Sequence, residues 1–317
     1  MTKYGFTEQF KKHREITGLF NTLKALTKTD ILQSLEKGTT KEELSQKYNQ
    51  YLINLVIEVL KKGRIISELN KKLFLNEKHL PKFPFFDRLD VISSYLPQDN
   101  EISDLIFEKL ISNNDDIISP EPNWNSKRLS KIGVFAYSEE IKSLLKSLEN
   151  TKIEGSLLDL GAGHGLYSIE FAKKYPDLKI FACDLEKVVP LTKQNVQKYN
   201  LEDKINIFSL DFLANQIEEK YNNILCSNIL HKEKRDIVLE KVYNALYSNG
   251  KIIINTRVLN TINKNLYNAV SALYWYINKG KIETIDFWKD ILLKYGFKNI
   301  KVCGFYELHA FIVGETI

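Results

Sequence analysis

The run Asp159-Leu160-Gly161-Ala162-Gly163-His164-Gly165 carries the sharpest chemistry in the sequence. Its glycines permit a tight turn and a close backbone approach to a ligand where a strand gives way to a helix. Many nucleotide-binding folds share such a loop, so the discriminating residue is Asp159, two positions before the first glycine. A pyrophosphate beside this carboxylate meets charge repulsion, whereas an ammonium is attracted. The pattern favours a cationic, phosphate-free cofactor such as S-adenosylmethionine (SAM) over a dinucleotide. Two further acids fall where such a site needs them. Asp184 follows Gly165 by 19 residues and is read at the end of the second strand, where a carboxylate can accept both hydroxyls of a ribose. Asp211, read at the end of the third strand, precedes Phe212; that pair can hydrogen-bond an adenine amine and pack its ring.

Other reactive side chains form no comparable pattern. Cys183, Cys226 and Cys303 lack CxxC spacing, and His13, His79, His164, His231 and His309 include no HxxxH pair. Neither a metal site nor a disulfide framework is expected, and the cysteines read as buried small hydrophobes. His164, inside the glycine loop, reads as a local structural residue. Tyr267, Leu273, Tyr274, Trp275 and Tyr276 make an aromatic-rich helix before Lys279-Gly280-Lys281. Such a helix suits a flat apolar acceptor, with Tyr267, Tyr274 and Trp275 as candidate contacts, and it suits core or dimer packing equally.

The elements that must hold these residues alternate between strand and helix from Gly155 onward. Strands are expected at residues 156–160, 179–185, 205–211, 223–230, 251–258, 300–306 and 310–314. Helices are expected near 165–175, 188–199, 234–247, 264–278 and 284–295. Continuous apolar runs such as Ile252-Ile253-Ile254 suit buried parallel strands, and the short link from Glu307 to His309 suits a final antiparallel hairpin. Before this region, three helices are followed by a hairpin over 65–69 and 72–75, a winged-helix pattern. Gly38 should stop one helix, Thr40 and Glu43 should form a capping box, and the helix 51–60 should end at Gly63. The domains are read as 1–80, a winged-helix domain, 81–150, a helical connector, and 151–317, an alternating α/β domain.

At 317 residues, 44% hydrophobic and 27% charged, the chain is globular and too long for one average domain. No apolar stretch is long enough for a bilayer, and the start MTKYGFTEQFKKHRE lacks the apolar core of a secretory signal. A cytoplasmic protein without a membrane partner is expected. Residues 1–90 hold 17 Lys and Arg against 11 Asp and Glu, and the remainder 28 against 29. That asymmetry raises nucleic-acid binding. The third helix argues against it, because Tyr51, Leu52, Ile53, Leu55, Val56, Ile57, Val59 and Leu60 leave few polar side chains to read base edges.

Together these segments resemble the dimeric small-molecule SAM-dependent O-methyltransferases. The resemblance rests on LTKTDILQSLEKGTTKEELSQKY and VLKKGRI, then DLGAGHG, CDLEKVVP, LDF, SNILH, the strand after SNGK, and KGKIETIDFWKDILLKYGF. It implies an α/β fold: the Rossmann-like, mostly parallel sheet of class I methyltransferases with an antiparallel final strand, preceded by an α-helical winged-helix domain. It further implies that Asp159, Gly161, Gly163 and Gly165 form the methionine-side loop for SAM, leaving S-adenosylhomocysteine as product. Asp184 and Leu185 then serve the ribose, Asp211 and Phe212 the adenine, and Ser227 a further cofactor contact. His231 falls at the position of the family's catalytic histidine, and the family forms homodimers through the N-terminal domain. The resemblance thus makes 1–80 the dimerisation domain and 151–317 the catalytic domain.

A histidine with a pKa of about 6.5 can deprotonate a phenol at neutral pH if it lies within hydrogen-bond reach; the alternative for His231 is a cap on the helix that follows. The family's usual Asp-Trp after this histidine is replaced by Lys232-Glu233, and Thr256 and Ile285 stand where relatives carry acids. The expectation is therefore O-methylation of a small aromatic molecule with His231 as base. The alternatives are C-, N- or S-methylation by the same fold, a SAM-sensing winged-helix regulator, or an RNA methyltransferase.

Overall fold

The structure is a computed structural model that describes residues 3–76, 100–112, 138–230 and 234–317. The chain forms two compact units, one of residues 1–121 with 260–282 and one of residues 122–259 with 283–317. Residues 260–282, read from sequence with the catalytic domain, thus make their contacts in the first unit. Most of the connector expected over 81–150 lies outside the described residues.

The first unit opens with α1 (Lys3–Leu26) and α2 (Ile31–Lys37). β1 (Thr39–Thr40), α3 (Lys41–Lys47) and α4 (Gln50–Lys62) follow. The hairpin is β2 (Ile66–Leu69) and β3 (Lys72–Leu75), and α5 (Asn100–Ile111) comes after it. The capping box is present: Thr40 accepts from the Glu43 amide while the Glu43 side chain accepts from the Thr40 amide. The hairpin turns on Asn70 and Lys71, both with positive φ (51° and 64°), the twist-matched geometry of a two-residue turn. Sequence reasoning missed β1, which pairs antiparallel with β3 to make the order β1-β3-β2.

The second unit holds α6 (Ser138–Ser147), β4 (Ser156–Leu160), α7 (Leu166–Lys174), β5 (Lys179–Asp184), α8 (Val189–Lys198) and β6 (Ile205–Ser209). Next come β7 (Tyr221–Ser227), α9 (Arg235–Asn244) and β8 (Leu246–Arg257). The chain then leaves for α10 (Leu266–Lys279), which belongs to the first unit, and returns as α11 (Ile285–Lys294), β9 (Lys298–Tyr306) and β10 (His309–Glu315). The sheet order is β6-β5-β4-β7-β8-β10-β9. β4, β5, β6, β7 and β8 pair in parallel, and β10 is antiparallel to both its neighbours. Successive side chains feed opposite faces. Leu158, Ile224, Cys226, Ile252 and Ile254 pack with α9 and α11, whereas Leu157, Leu225 and Ile253 pack with α6 and α7. Burial on both faces is what near-continuous apolar strands require.

Several strand ends differ from expectation for local reasons. β7 stops at Ser227 because Asn228 turns into the left-handed region (φ 58°). β6 stops at Ser209, and Asp211 opens a turn by accepting from the Leu213 and Ala214 amides. β8 begins at Leu246, ahead of the expected 251, and runs through Asn249, another positive-φ residue (58°). The apolar helix α4 is covered from within: its Leu52, Ile53, Leu55, Val56, Ile57, Val59 and Leu60 are all buried in the single chain. In the same unit, the Tyr51 ring lies 4.7 Å from that of Tyr276 on α10, and a Cβ on Gly18 of α1 would come within 2.2 Å of Val270.

Candidate active site

The chain runs outward from β4 through β5 to β6, then jumps back to place β7 on the other side of β4. A crevice outside the strand ends is expected at such a reversal. The glycine loop fills its base. Gly161, Gly163 and Gly165 all have positive φ (72°, 57° and 73°), which side chains other than glycine adopt at a cost. The amides of Gly161 and Ala162 both donate to the Cys183 carbonyl at 2.9 Å, and the Gly163 amide donates to Asp184 Oδ2 at 2.7 Å. The other carboxylate oxygen of Asp184 accepts from the Leu185 amide at 2.7 Å. Burial is the largest influence on this carboxyl and raises its pKa despite the two amide donors. A Cβ on Gly161 would lie 2.9 Å from Ile229 and 3.5 Å from the Phe212 ring, so the loop, the turn after β6 and the end of β7 converge there.

The three acids differ more in setting than sequence suggested. Asp184 does end β5. Asp159 is the fourth residue of β4, not its last, and is buried with 1% exposure on the face covered by α7. It accepts from the Ser168 hydroxyl at 2.6 Å. Desolvation lifts its pKa to about 6, opposed by the hydrogen bonds from Ser168. Asp211 lies two residues beyond β6, and its carboxylate holds the turn that carries Phe212. The carbonyls of Phe212, Leu213 and Asn215 all accept from Lys241 Nζ, at 3.0, 2.9 and 2.8 Å. His164 is buried and its Nδ1 accepts from the Leu166 amide at 3.2 Å, a local role. Burial lowers its pKa to about 4, which leaves the ring neutral.

Ser227, at the end of β7, accepts from the Asn255 amide at 3.1 Å. Behind it lies a buried polar cluster that the sequence did not signal. Glu140, Tyr167, Asn255 and His309 come from α6, α7, β8 and β10 and are each at most 5% exposed. Burial would raise the Glu140 pKa, but the His309 imidazole and hydrogen bonds from His309, Tyr167 and Asn255 hold it down at about 2. Glu140 stands in the first turn of α6 as an ordinary acidic helix-start residue, and the other members are scattered along the chain.

His231, Lys232 and Glu233 lie outside the described residues. Tyr267, Tyr274 and Trp275 sit on α10 in the first unit. There the Arg14 guanidinium lies over the Tyr267 and Tyr274 rings at 5.9 and 5.5 Å, and the Tyr274 hydroxyl accepts from Asn21 at 3.0 Å. Thr256 lies half-buried on β8, and Ile285 opens α11 against the sheet core. Among the described residues no group of three or more His, Cys, Asp or Glu could hold a metal, and no helix is long and apolar enough to cross a membrane.

A parallel sheet reversed between its first and fourth strands, closed by an antiparallel seventh and bearing a glycine loop on the first, is the class I methyltransferase arrangement. The family model for the O-methyltransferase domain matches residues 136–298. The chain belongs to the O-methyltransferase family. It is accordingly a SAM-dependent methyltransferase. This methyltransferase is 26% identical to the uncharacterized protein MJ0086 of Methanocaldococcus jannaschii, over 98% of this chain and 86% of that protein. Among solved structures, the O-methyltransferase family 2 protein from Planctomyces limnophilus in complex with apigenin superposes with a TM-score of 0.68 at 15% identity, covering 98% of this chain and 96% of that one. Human N-acetylserotonin methyltransferase in complex with SAM gives 0.51 at 15% identity, covering 100% and 98%. At such identities both speak for the fold.

Proposed function

We propose that this methyltransferase transfers the methyl group of SAM to an oxygen of a small, aromatic acceptor. The observation that carries the cofactor site is the coupling of Asp184 to the glycine loop: one carboxylate ends β5 and holds the Gly163 amide. Its oxygens retain lone pairs for the two ribose hydroxyls, and Leu185 follows it. Gly161, Gly163 and Gly165 would form the loop for the methionine end, and a Cβ at Gly161 would narrow the space toward Ile229 and Phe212. Asp211 and Phe212 would receive the adenine. Carboxylates, which only accept hydrogen bonds, suit the hydroxyls of an uncharged ribose and an ammonium better than a phosphate.

Bound SAM supplies an electrophilic methyl on a cationic sulfur. The chain's part is to align the acceptor opposite that sulfur and to exclude water. His231 would take the acceptor's proton at an imidazole nitrogen as the new bond forms. Tyr267, Tyr274 and Trp275 are proposed to bind the acceptor ring; the Planctomyces limnophilus protein in complex with apigenin supports an aromatic acceptor. A second reading, methylation at carbon, nitrogen or sulfur, is favoured by Thr256 and Ile285, which provide no carboxylate to orient His231. We further read the enzyme as a cytoplasmic homodimer with no metal requirement.

Calorimetry tests the cofactor site. Asp184→Ala should weaken SAM binding by at least about 1.5 kcal/mol, the scale of hydrogen bonds to a charged group; unchanged affinity would remove the ribose assignment. A screen of phenols, catechols, thiols and heteroaromatic amines for S-adenosylhomocysteine release then decides the accepting atom.

A further inference from the structure

The cluster behind Ser227 has a direction built into it. Glu140 Oε1 receives the Tyr167 hydroxyl at 2.6 Å, Asn255 Nδ2 at 2.5 Å and His309 Nδ1 at 3.1 Å. Asn255 Oδ1 lies 2.9 Å from the same His309 nitrogen. A carboxylate only accepts, so Asn255 must turn its nitrogen toward Glu140 and its oxygen toward His309. His309 Nδ1, facing two acceptors, must carry a proton. The Asn255 nitrogen also lies 2.7 Å from the Tyr167 hydroxyl, which sits beside Glu140 Oε1, so one N–H faces that pair and the other is left for Ser227 Oγ, 3.1 Å away. The Asn228 amide also donates to that oxygen at 3.5 Å. With both neighbours donating, the Ser227 proton has no acceptor among the described residues and is turned away from the cluster.

We propose that Glu140, His309 and Asn255 are positioning residues that fix the Ser227 hydroxyl as an outward donor, so that the end of β7 takes only an accepting oxygen, the carboxylate of the methyl donor. This rests on the cofactor reading above. The strand order supplies the choice of group: adenine at β6 and ribose at β5 leave the amino-acid end for β4 and β7. Of that end's two charged groups, only the carboxylate accepts. The same hydroxyl would repel the donor's ammonium, which leaves the ammonium to the β4 side, above buried Asp159.

The test titrates the full chain with S-adenosylhomocysteine and with 5′-methylthioadenosine, which lacks the amino-acid end. Ser227→Ala should weaken the first about tenfold and the second less than twofold. Asn255→Asp replaces the donor facing Ser227 with an acceptor and draws the hydroxyl inward. It should cost S-adenosylhomocysteine at least as much as Ser227→Ala, with no further loss in the double variant. Should that variant not fold, Asn255→Leu decides: it frees the hydroxyl to rotate, and a loss of about threefold for S-adenosylhomocysteine alone is expected, absent when Ser227→Ala is already in place. Equal losses for both ligands, additive losses, or a Ser227→Ala protein within twofold of wild type would each overturn the relay while leaving the cofactor reading intact. A wild-type protein that binds neither ligand overturns both.

Discussion

Asp159 is the residue whose titration reports on the site. Its folded pKa of about 6 exceeds the ordinary carboxylate value near 3.9. Its stabilising contribution is therefore present below about pH 4 and lost as pH rises through 6. A cation bound nearby favours the ionised form and reverses that balance. If the donor's ammonium is drawn by this charge, affinity for S-adenosylhomocysteine should rise about tenfold between pH 5 and pH 7. Asp159→Asn should flatten the profile, and a wild-type profile already flat would reduce Asp159 to an anchor for Ser168. For His231, substitution by alanine should leave SAM affinity nearly unchanged and lower turnover by roughly 10²- to 10⁴-fold. A variant that keeps more than about a third of wild-type turnover, where chemistry limits the rate, is not missing its base. At this scale the legible residues were those packed into one short motif or placed at strand ends. Glu140, Asn255 and His309 were illegible because nothing in a linear sequence joins an acid at the start of one helix to an amide and an imidazole on two late strands.

Among the elements, α9 does more than cover the sheet. The ammonium of Lys241 ties together three carbonyls of the turn that presents Phe212, much as a cation would. Lys241→Met leaves those carbonyls without their donor. It should lower stability in urea by about 1–3 kcal/mol and weaken S-adenosylhomocysteine binding, because the ring beside Gly161 loses its support. Unchanged binding in a measurably destabilised variant would confine Lys241 to the fold. The elements themselves were largely legible. The seven strands of the catalytic sheet, the capping box at Thr40 and the wing follow from apolar period and turn residues. Their ends were less so, since Asn228 and Asp211 stop strands through backbone conformation and side-chain capping, which apolar period does not register.

At the scale of the molecule, the apolar surface of α4 is buried within one chain, close to α10, and so offers no open face to a second copy. The homodimer now rests on the family resemblance. Exposed apolar residues in the first unit, Ile16, Leu69 and Ile111, offer it a modest surface. Sedimentation at micromolar concentration should give twice the 36.8 kDa chain mass; a monomer would remove the dimer and leave the cofactor site untouched. The return of residues 260–282 to the first unit was not legible, because an aromatic-rich helix between two catalytic strands reads the same whichever unit it joins.

That return has a bearing on the order of assembly during synthesis. Domains usually fold in turn as they leave the ribosome, the N-terminal one first. Here the inner face of α10, with Ala269, Val270, Ala272, Leu273, Tyr276 and Ile277, is fully buried. The first unit cannot close over it until the ribosome has translated past residue 277. At 5–20 residues per second, the chain emerging after α5 waits roughly ten to thirty seconds for that helix. Throughout that interval the first five catalytic strands are being delivered. The nascent α1 and α4 therefore hold uncovered apolar faces while the sheet that will bear the active site takes shape, and the unit begun first is finished late.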